Sequence, residues 1–228
     1  SLDALSSVIL HSIETCGNYV TMQSEKLTKS ATKTVFKNPP TVLILASGRG
    51  DRFLASGGTT HKLQALLAGK TVLQHTIDAV KASGLPWHVE DAGHPGMGDS
   101  IAAAVSKTPN ANGWLILPGD LPLIQAGTLL QVAQALQTND VVQPCFVSET
   151  EHGSSEQRGH PVGFGVVCQQ DLLNLRGNKG AATVIAAYEA MKLIVKDVGV
   201  VTDIDTVEDL ARAEDLLKNR SFTINTGF

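Results

Sequence analysis

Short segments that are apolar on every residue, with no polar alternation, constrain this chain more than any other feature. Val42–Ala46 and Trp114–Leu117 are the clearest of them. A strand that shows water no polar face must be covered on both sides, which is the habit of parallel sheets crossed over by helices. Helical spacing is found between these segments: Val72, Leu73, Ile77 and Val80 form one stripe within 71–83. Further helices are expected over 99–107, 123–137, 179–191 and 206–218, with strands at 87–90, 141–147, 162–167 and 193–195. The expected fold is α/β, a mostly parallel sheet with helices on both faces. Ligands in such folds gather outside the carboxyl ends of the strands, so the loops there carry the functional interest.

The chain divides unevenly. Residues 1–40 are expected to form an N-terminal extension: Leu2, Leu5, Ile9 and Ile13 have helical spacing, and a polar linker closes on Pro39-Pro40. Met22 stands at the head of that linker, and one reading starts native translation there, with residues 1–21 added by cloning. No basic segment precedes an apolar one, so no secretory signal is expected. A domain over 41–219 and a tail over 220–228 complete the division. The net charge of −4 argues against a nucleic-acid partner, and no apolar run approaches the ~20 residues of a membrane span. Cys16, Cys145 and Cys168 lie far apart without metal-ligand spacing, as expected of thiols in a reducing cytoplasm.

The loop "LASGRGDRF" (45–53) follows the first strand. It fails the dinucleotide fingerprint, because Phe53 stands where a third glycine is needed. Gly69-Lys70-Thr71 fails as a phosphate loop, because Gln64 occupies the required glycine position; it reads as a turn before a helix. In the first loop Ser47, Gly48 and Gly50 let backbone N–H groups turn inward as an anion nest. Arg49 and Arg52 add forked donors and Lys62 a third cation. The alternative is a surface loop with solvated charges.

Two carboxylate positions complement that loop. Asp120, with Gly119, ends the strand in "LILPGDLP" and has no helix to cap at once. Asp203 and Asp205 precede the last helix, where Asp205 could equally be its N-cap with Glu208 in the first turn. Together Asp120 and Asp205 could hold one Mg²⁺, which takes one or two carboxylates plus substrate phosphates and waters. Cations facing carboxylate-held metal suit attack on a nucleoside triphosphate, with charge neutralisation rather than a nucleophilic side chain supplying the catalysis.

"LILASGRGDRF…HK", "GMGDSIAAAV", "PGDLPLI", "RGHPVGFG", "GNKGAATVI" and "DIDTVEDL" occur in this order between 41 and 219. The set resembles the molybdenum cofactor nucleotidyltransferases, the cytidylyltransferase branch above all and the guanylyltransferase branch as a cousin. The resemblance implies a Rossmann-like nucleotidyltransferase fold and transfer of CMP from CTP to a molybdopterin-type phosphate acceptor, with pyrophosphate released and Mg²⁺ as cofactor. A molybdoenzyme or its chaperone is the implied recipient. Leu45, Ala46, Ser47, Gly48, Arg49, Gly50, Arg52 and Lys62 match the triphosphate loop. Gly98, Asp99 and Ser100 match a segment near the base. Asp120 matches the principal metal ligand, and Asp205 or Asp203 the second. His160, Pro161 and Phe164 match the acceptor side. Two departures accompany the resemblance. Only the 11 residues Leu85–Pro95 separate Gly84 from Gly96, too few for the strand–helix unit usual there, so one unit is expected to be missing. The family's acidic residue and arginine near 178–182 are Asn178 and Ala182 here, which leaves open a GTP-using enzyme, a sugar- or alcohol-phosphate acceptor, or a non-catalytic carrier.

Overall fold

A computed structural model describes residues 36–150 and 153–225. The helical spacing at 2–13, Met22, Cys16 and most of the linker lie outside the described residues. In chain order the elements are β1 (Thr41–Leu45), α1 (Asp51–Ala55), β2 (Leu66–Leu67), β3 (Lys70–Thr71), α2 (Val72–Ser83) and β4 (Trp87–Glu90). Next come α3 (Met97–Lys107), β5 (Trp114–Pro118), α4 (Ala126–Ala135), β6 (Val141–Thr150), β7 (Gly153–Arg158) and β8 (Val162–Phe164). The last are α5 (Gln169–Leu173), α6 (Ala182–Ala187), β9 (Met191–Val195) and α7 (Val207–Asn225).

β1 is buried along its whole length, and its side chains divide between two cores. Val42 and Ile44 pack with Val80 of α2 and with Leu129, Val132 and Ala133 of α4. Leu43 and Leu45 pack on the other face with Ile101, Ala104 and Val105 of α3. This is why the strand carries no polar residue after Thr41: helices remove water from both faces, each fully buried Val, Leu or Ile contributing roughly 1.5–3 kcal/mol. α2 starts where the Thr71 hydroxyl accepts the Gln74 N–H (3.1 Å) and stops at Gly84, whose φ of 71° suits glycine. Gly69 turns the β2–β3 hairpin just before it, as the sequence leads one to expect.

β1 pairs in parallel with β4 on one side and β5 on the other. β8 joins β5 to β6 and is antiparallel to both. β9 takes the opposite edge of β6 in parallel, and β7 folds back along the same side as β8. β4, β1, β5, β6 and β9 thus share one direction, so the sheet is mostly parallel with β7 and β8 reversed. The fold is Rossmann-like, an α/β sheet with helices on both faces. The chain passes from β4 through a short loop straight into α3, and no strand lies beyond β4 among the described residues. That is the shortened sheet the spacing implies. No helix among the described residues is long and apolar enough to cross a membrane.

Candidate active site

The loop after β1 leaves the sheet at Ala46, whose N–H still donates to the Glu90 carbonyl at 2.8 Å. The next four N–H groups, Ser47 to Gly50, meet no acceptor among the described residues. His61 holds this loop from the side: its Nε2 bonds the Gly48 carbonyl (2.6 Å) while Nδ1 accepts the Leu63 N–H (3.3 Å), and one ring tautomer satisfies both. Gly50 has φ +71°, with the His61 ring 3.4 Å from where a Cβ would sit, so a side chain here would be strained and crowded. α1 follows, anchored by buried Phe53 and presenting Arg52 outward.

Three separate stretches meet beside that loop. The Lys62 ammonium donates to Asp120 Oδ2 at 2.6 Å and to Asp205 Oδ1 at 2.8 Å. The exposed Arg52 guanidinium reaches Asp205 Oδ2 at 2.8 Å. Burial works to lower the Lys62 pKa, but the Asp120 and Asp205 carboxylates outweigh it and hold the group above its ordinary value of 10.5. The backbone explains the convergence. Gly119 N–H donates to Leu45 O (2.9 Å), Thr76 Oγ1 donates to Gly119 O (3.0 Å), and Ile204 N–H donates to Asp120 O (3.0 Å). Ile204 is wholly buried, which sets the acids on either side of it against Asp120.

Asp205 is free for this role because its neighbour caps the helix. Asp209 N–H donates to Thr206 Oγ1 (3.2 Å), while the Asp209 carboxylate accepts the N–H groups of Thr206 (2.9 Å) and Asp205 (3.2 Å). This is a capping box on Thr206 and Asp209, so the N-cap reading of Asp205 is set aside. Asp203 lies on the rim; partial burial, then the neighbouring carboxylates of Asp120, Asp205 and Asp209, push its pKa up.

Two cavities share Lys62 and Asp120. The first, of about 460 Å³, is lined by Leu45, Ser47, Gly48, Arg49, His94, Ser100 and Asn178 among others. The second, of about 620 Å³, is lined by Arg52, Arg158, His160, Asp203 and Asp205 among others. The Ser47 and Ser100 hydroxyls are 2.6 Å apart and tie the loop to α3. Gly98 and Asp99 do not line the first cavity: Gly98 packs on the Arg176 backbone, and the Asp99 carboxylate accepts the Gly177 N–H at 3.0 Å. They hold the 176–178 turn against α3, while Ala46, Gly50 and Gly119 shape backbone rather than line the cleft. Of the expected acceptor residues only His160 faces the second cavity. Its pKa is lowered by burial against the pull of Asp120 and of a hydrogen bond to the Ile116 backbone, and its Nδ1 has no partner. Pro161 is buried, and Phe164 belongs to the core with Trp114, at 0% exposure. The acceptor assignment of Pro161 and Phe164 is thereby corrected: Phe164 turns inward in β8, and Pro161, just before that strand, is buried as well. His94 and Arg158 stand in the cavities without having been singled out in sequence, though Arg158 lies within the "RGHPVGFG" stretch; Asn178, read as a departure from the family pattern, lines the first cavity and not the second.

The donor set fits a hard divalent cation. Asp120 Oδ1 is buried without a hydrogen-bond partner, and a second carboxylate shares the same lysine. No group of three or more metal-ligating side chains occurs among the described residues. Two carboxylates completed by substrate oxygens suit a divalent cation.

The profile of the MobA-like NTP transferase domain matches residues 79–192. The chain is 25% identical over 176 residues to the bifunctional protein GlmU of Xylella fastidiosa, an alignment covering 58% of this chain and 38% of that protein. It thus spans well under half the length of that curated relative. Among solved structures, Rv0371c of Mycobacterium tuberculosis superposes with a TM-score of 0.62 at 22% identity, covering 78% of this chain and 99% of that one. A manganese complex of Rv0371c is also known. A CMP:2-keto-3-deoxy-manno-octonic acid synthetase complexed with CTP superposes at 0.56 and 12% identity, covering 81% of this chain and all of that one. The likeness to these structures is one of fold. With the profile matching half of its residues, the chain belongs to the MobA-like NTP transferase family.

Proposed function

We propose that this nucleotidyltransferase moves CMP from CTP to the phosphate of a molybdopterin-type acceptor and releases pyrophosphate. The observation that carries the reading is Lys62, clasped by Asp120 and Asp205 where the two cavities meet. Triphosphate in the first cavity and acceptor in the second set the α-phosphorus at that seam. An ionised acceptor oxygen bonds to it while its bond to the β-bridging oxygen breaks, and pyrophosphate leaves with the electron pair. No general base is needed, because the nucleophile is already charged. The free N–H groups of Ser47–Gly50, with Arg49, hold the β- and γ-phosphates; Lys62 and Arg52 neutralise the departing charge. Asp120 and Asp205 would hold Mg²⁺, which when bound screens the α-phosphate. His160 and Arg158 face the acceptor.

The cytidine preference rests on the resemblance of the motifs and on the CTP-bound relative in fold. That relative's keto-sugar acid also supports a second reading, a sugar-type acceptor. Buried, unpaired Cys145 and Cys168 agree with a cytoplasmic site, and a molybdoenzyme or its chaperone is the proposed recipient.

Pyrophosphate release, measured with each triphosphate against a molybdopterin phosphate and a panel of sugar and alcohol phosphates, tests this. Release with CTP and the pterin acceptor is expected. Asp120→Asn is expected to lower it by about 100-fold or more with the melting temperature little changed. Undiminished turnover in that variant would remove Asp120 from the chemistry.

A further inference from the structure

We propose that His94 reads the amino edge of the nucleobase, and that buried Glu90 fixes which ring nitrogen faces the cleft. The inference rests on the triphosphate occupying the first cavity. Sheet order supplies the direction. β4, β1 and β5 are neighbours, so the phosphate-loop candidate from β1 lies between Asp120 after β5 and the loop after β4. The first cavity is lined by Asp120 and Lys62 and also by His94 after β4, so with the α-phosphorus at Asp120 the ribose and base attached to it extend within that cavity towards the β4 side.

Glu90 ends β4 and is completely buried. Its carboxylate accepts Lys107 Nζ at 2.7 Å, His94 Nε2 at 3.0 Å and His88 Nε2 at 3.3 Å. Burial opposes its charge, yet the donors from Lys107, His94 and His88 prevail and hold its pKa at about 2. An ionised carboxylate only accepts, so His94 must place its hydrogen on Nε2. A neutral ring held in this way leaves Nδ1 of His94 as a bare acceptor. It has no partner among the described residues. Such a nitrogen receives an N–H and repels a carbonyl oxygen. Cytosine carries an amino group at ring position 4 where uracil carries a carbonyl, and uracil alone has a hydrogen on N3; an acceptor that meets position 4 favours cytosine over uracil.

CTP and UTP are titrated separately, with Mg²⁺, into the full chain and into His94→Phe, His94→Ala and Glu90→Gln, each checked for folding by circular dichroism. The wild type is expected to bind CTP about tenfold or more tightly than UTP, and both His94 variants to bring the ratio within about twofold. Glu90→Gln, free to donate as well as accept, is expected to lower the ratio; a purely structural Glu90 would weaken both nucleotides alike. A ratio unchanged in folded His94 variants overturns the assignment and leaves the transferase reading standing. A wild type without preference for CTP also overturns it. A wild type that binds neither triphosphate overturns both readings together.

Discussion

Lys62 serves two carboxylates with one charge, both pairs largely shielded from water. Without it Asp120 and Asp205 would repel each other across a partly desolvated gap, which is why the folded chain keeps the lysine charged. Glu90 makes the corresponding case for acid stability. Its pKa falls from 4.5 to about 2 on folding, so it contributes stability that is complete above pH 4.5 and is lost as the pH drops towards 2. The contribution is on the order of a few kcal/mol. Thermal melts across this window are expected to show the wild type losing stability more steeply than Glu90→Gln, and parallel curves would contradict the shift. That Asp120, Asp205, Arg52 and Lys62 would share a cleft could be read from sequence because Asp120 stands just outside a strand, Arg52 and Lys62 in or after a glycine-bearing loop, and Asp205 ahead of the last helix. His94 could not be read so, because a histidine in a polar loop gives no periodic signal. Nor does the spacing of "WHVE" tell that its glutamate turns inward to Lys107.

At the scale of elements, α7 positions a site residue through its first turn. Thr206→Ala removes the hydroxyl that takes the Asp209 N–H and should cost about 1 kcal/mol, a few degrees of melting temperature. Because Asp209 also holds the Asp205 N–H, turnover is expected to fall too. Lys218→Ala, farther along the same helix, provides the comparison and should leave turnover intact. Helices and strands with strong patterns lie close to where the sequence puts them. β7 does not follow from pattern: "GSSEQR" is exposed throughout and forms a strand only because β6 offers it an edge. The segment 162–167 shows the reverse. β8 stops at Phe164 because Gly165 N–H turns to the Asp140 carbonyl at 2.7 Å, and the apolar residues after it wind into a helical turn. The helix expected over 179–191 shrinks to α6, since Gly180 at φ 56° precedes it and β9 begins at Met191.

For the molecule as a whole, the apolar strands made the α/β class and the mostly parallel sheet readable, while the reversed β7 and β8 needed the tertiary pairing to appear. The shortened sheet was legible as a length: too few residues stand between Gly84 and Gly96 for another crossover. Its result is that β4 borders solvent. Trp87 in β4 is 41% exposed, with the Lys81 ammonium 5.6 Å from its ring centroid. Trp114, one strand beyond β1, is fully buried and donates from Nε1 to Thr108 Oγ1 at 3.0 Å. These are the chain's two tryptophans, and they supply a pair of fluorophores with opposite access to a dissolved quencher. Iodide, drawn to the neighbouring ammonium, should extinguish one emission and spare the other, giving a downward-curving Stern–Volmer plot. Trp87→Phe should leave a single dim, blue-shifted, nearly unquenchable signal, so the border of the sheet and its interior can be followed by light independently of each other.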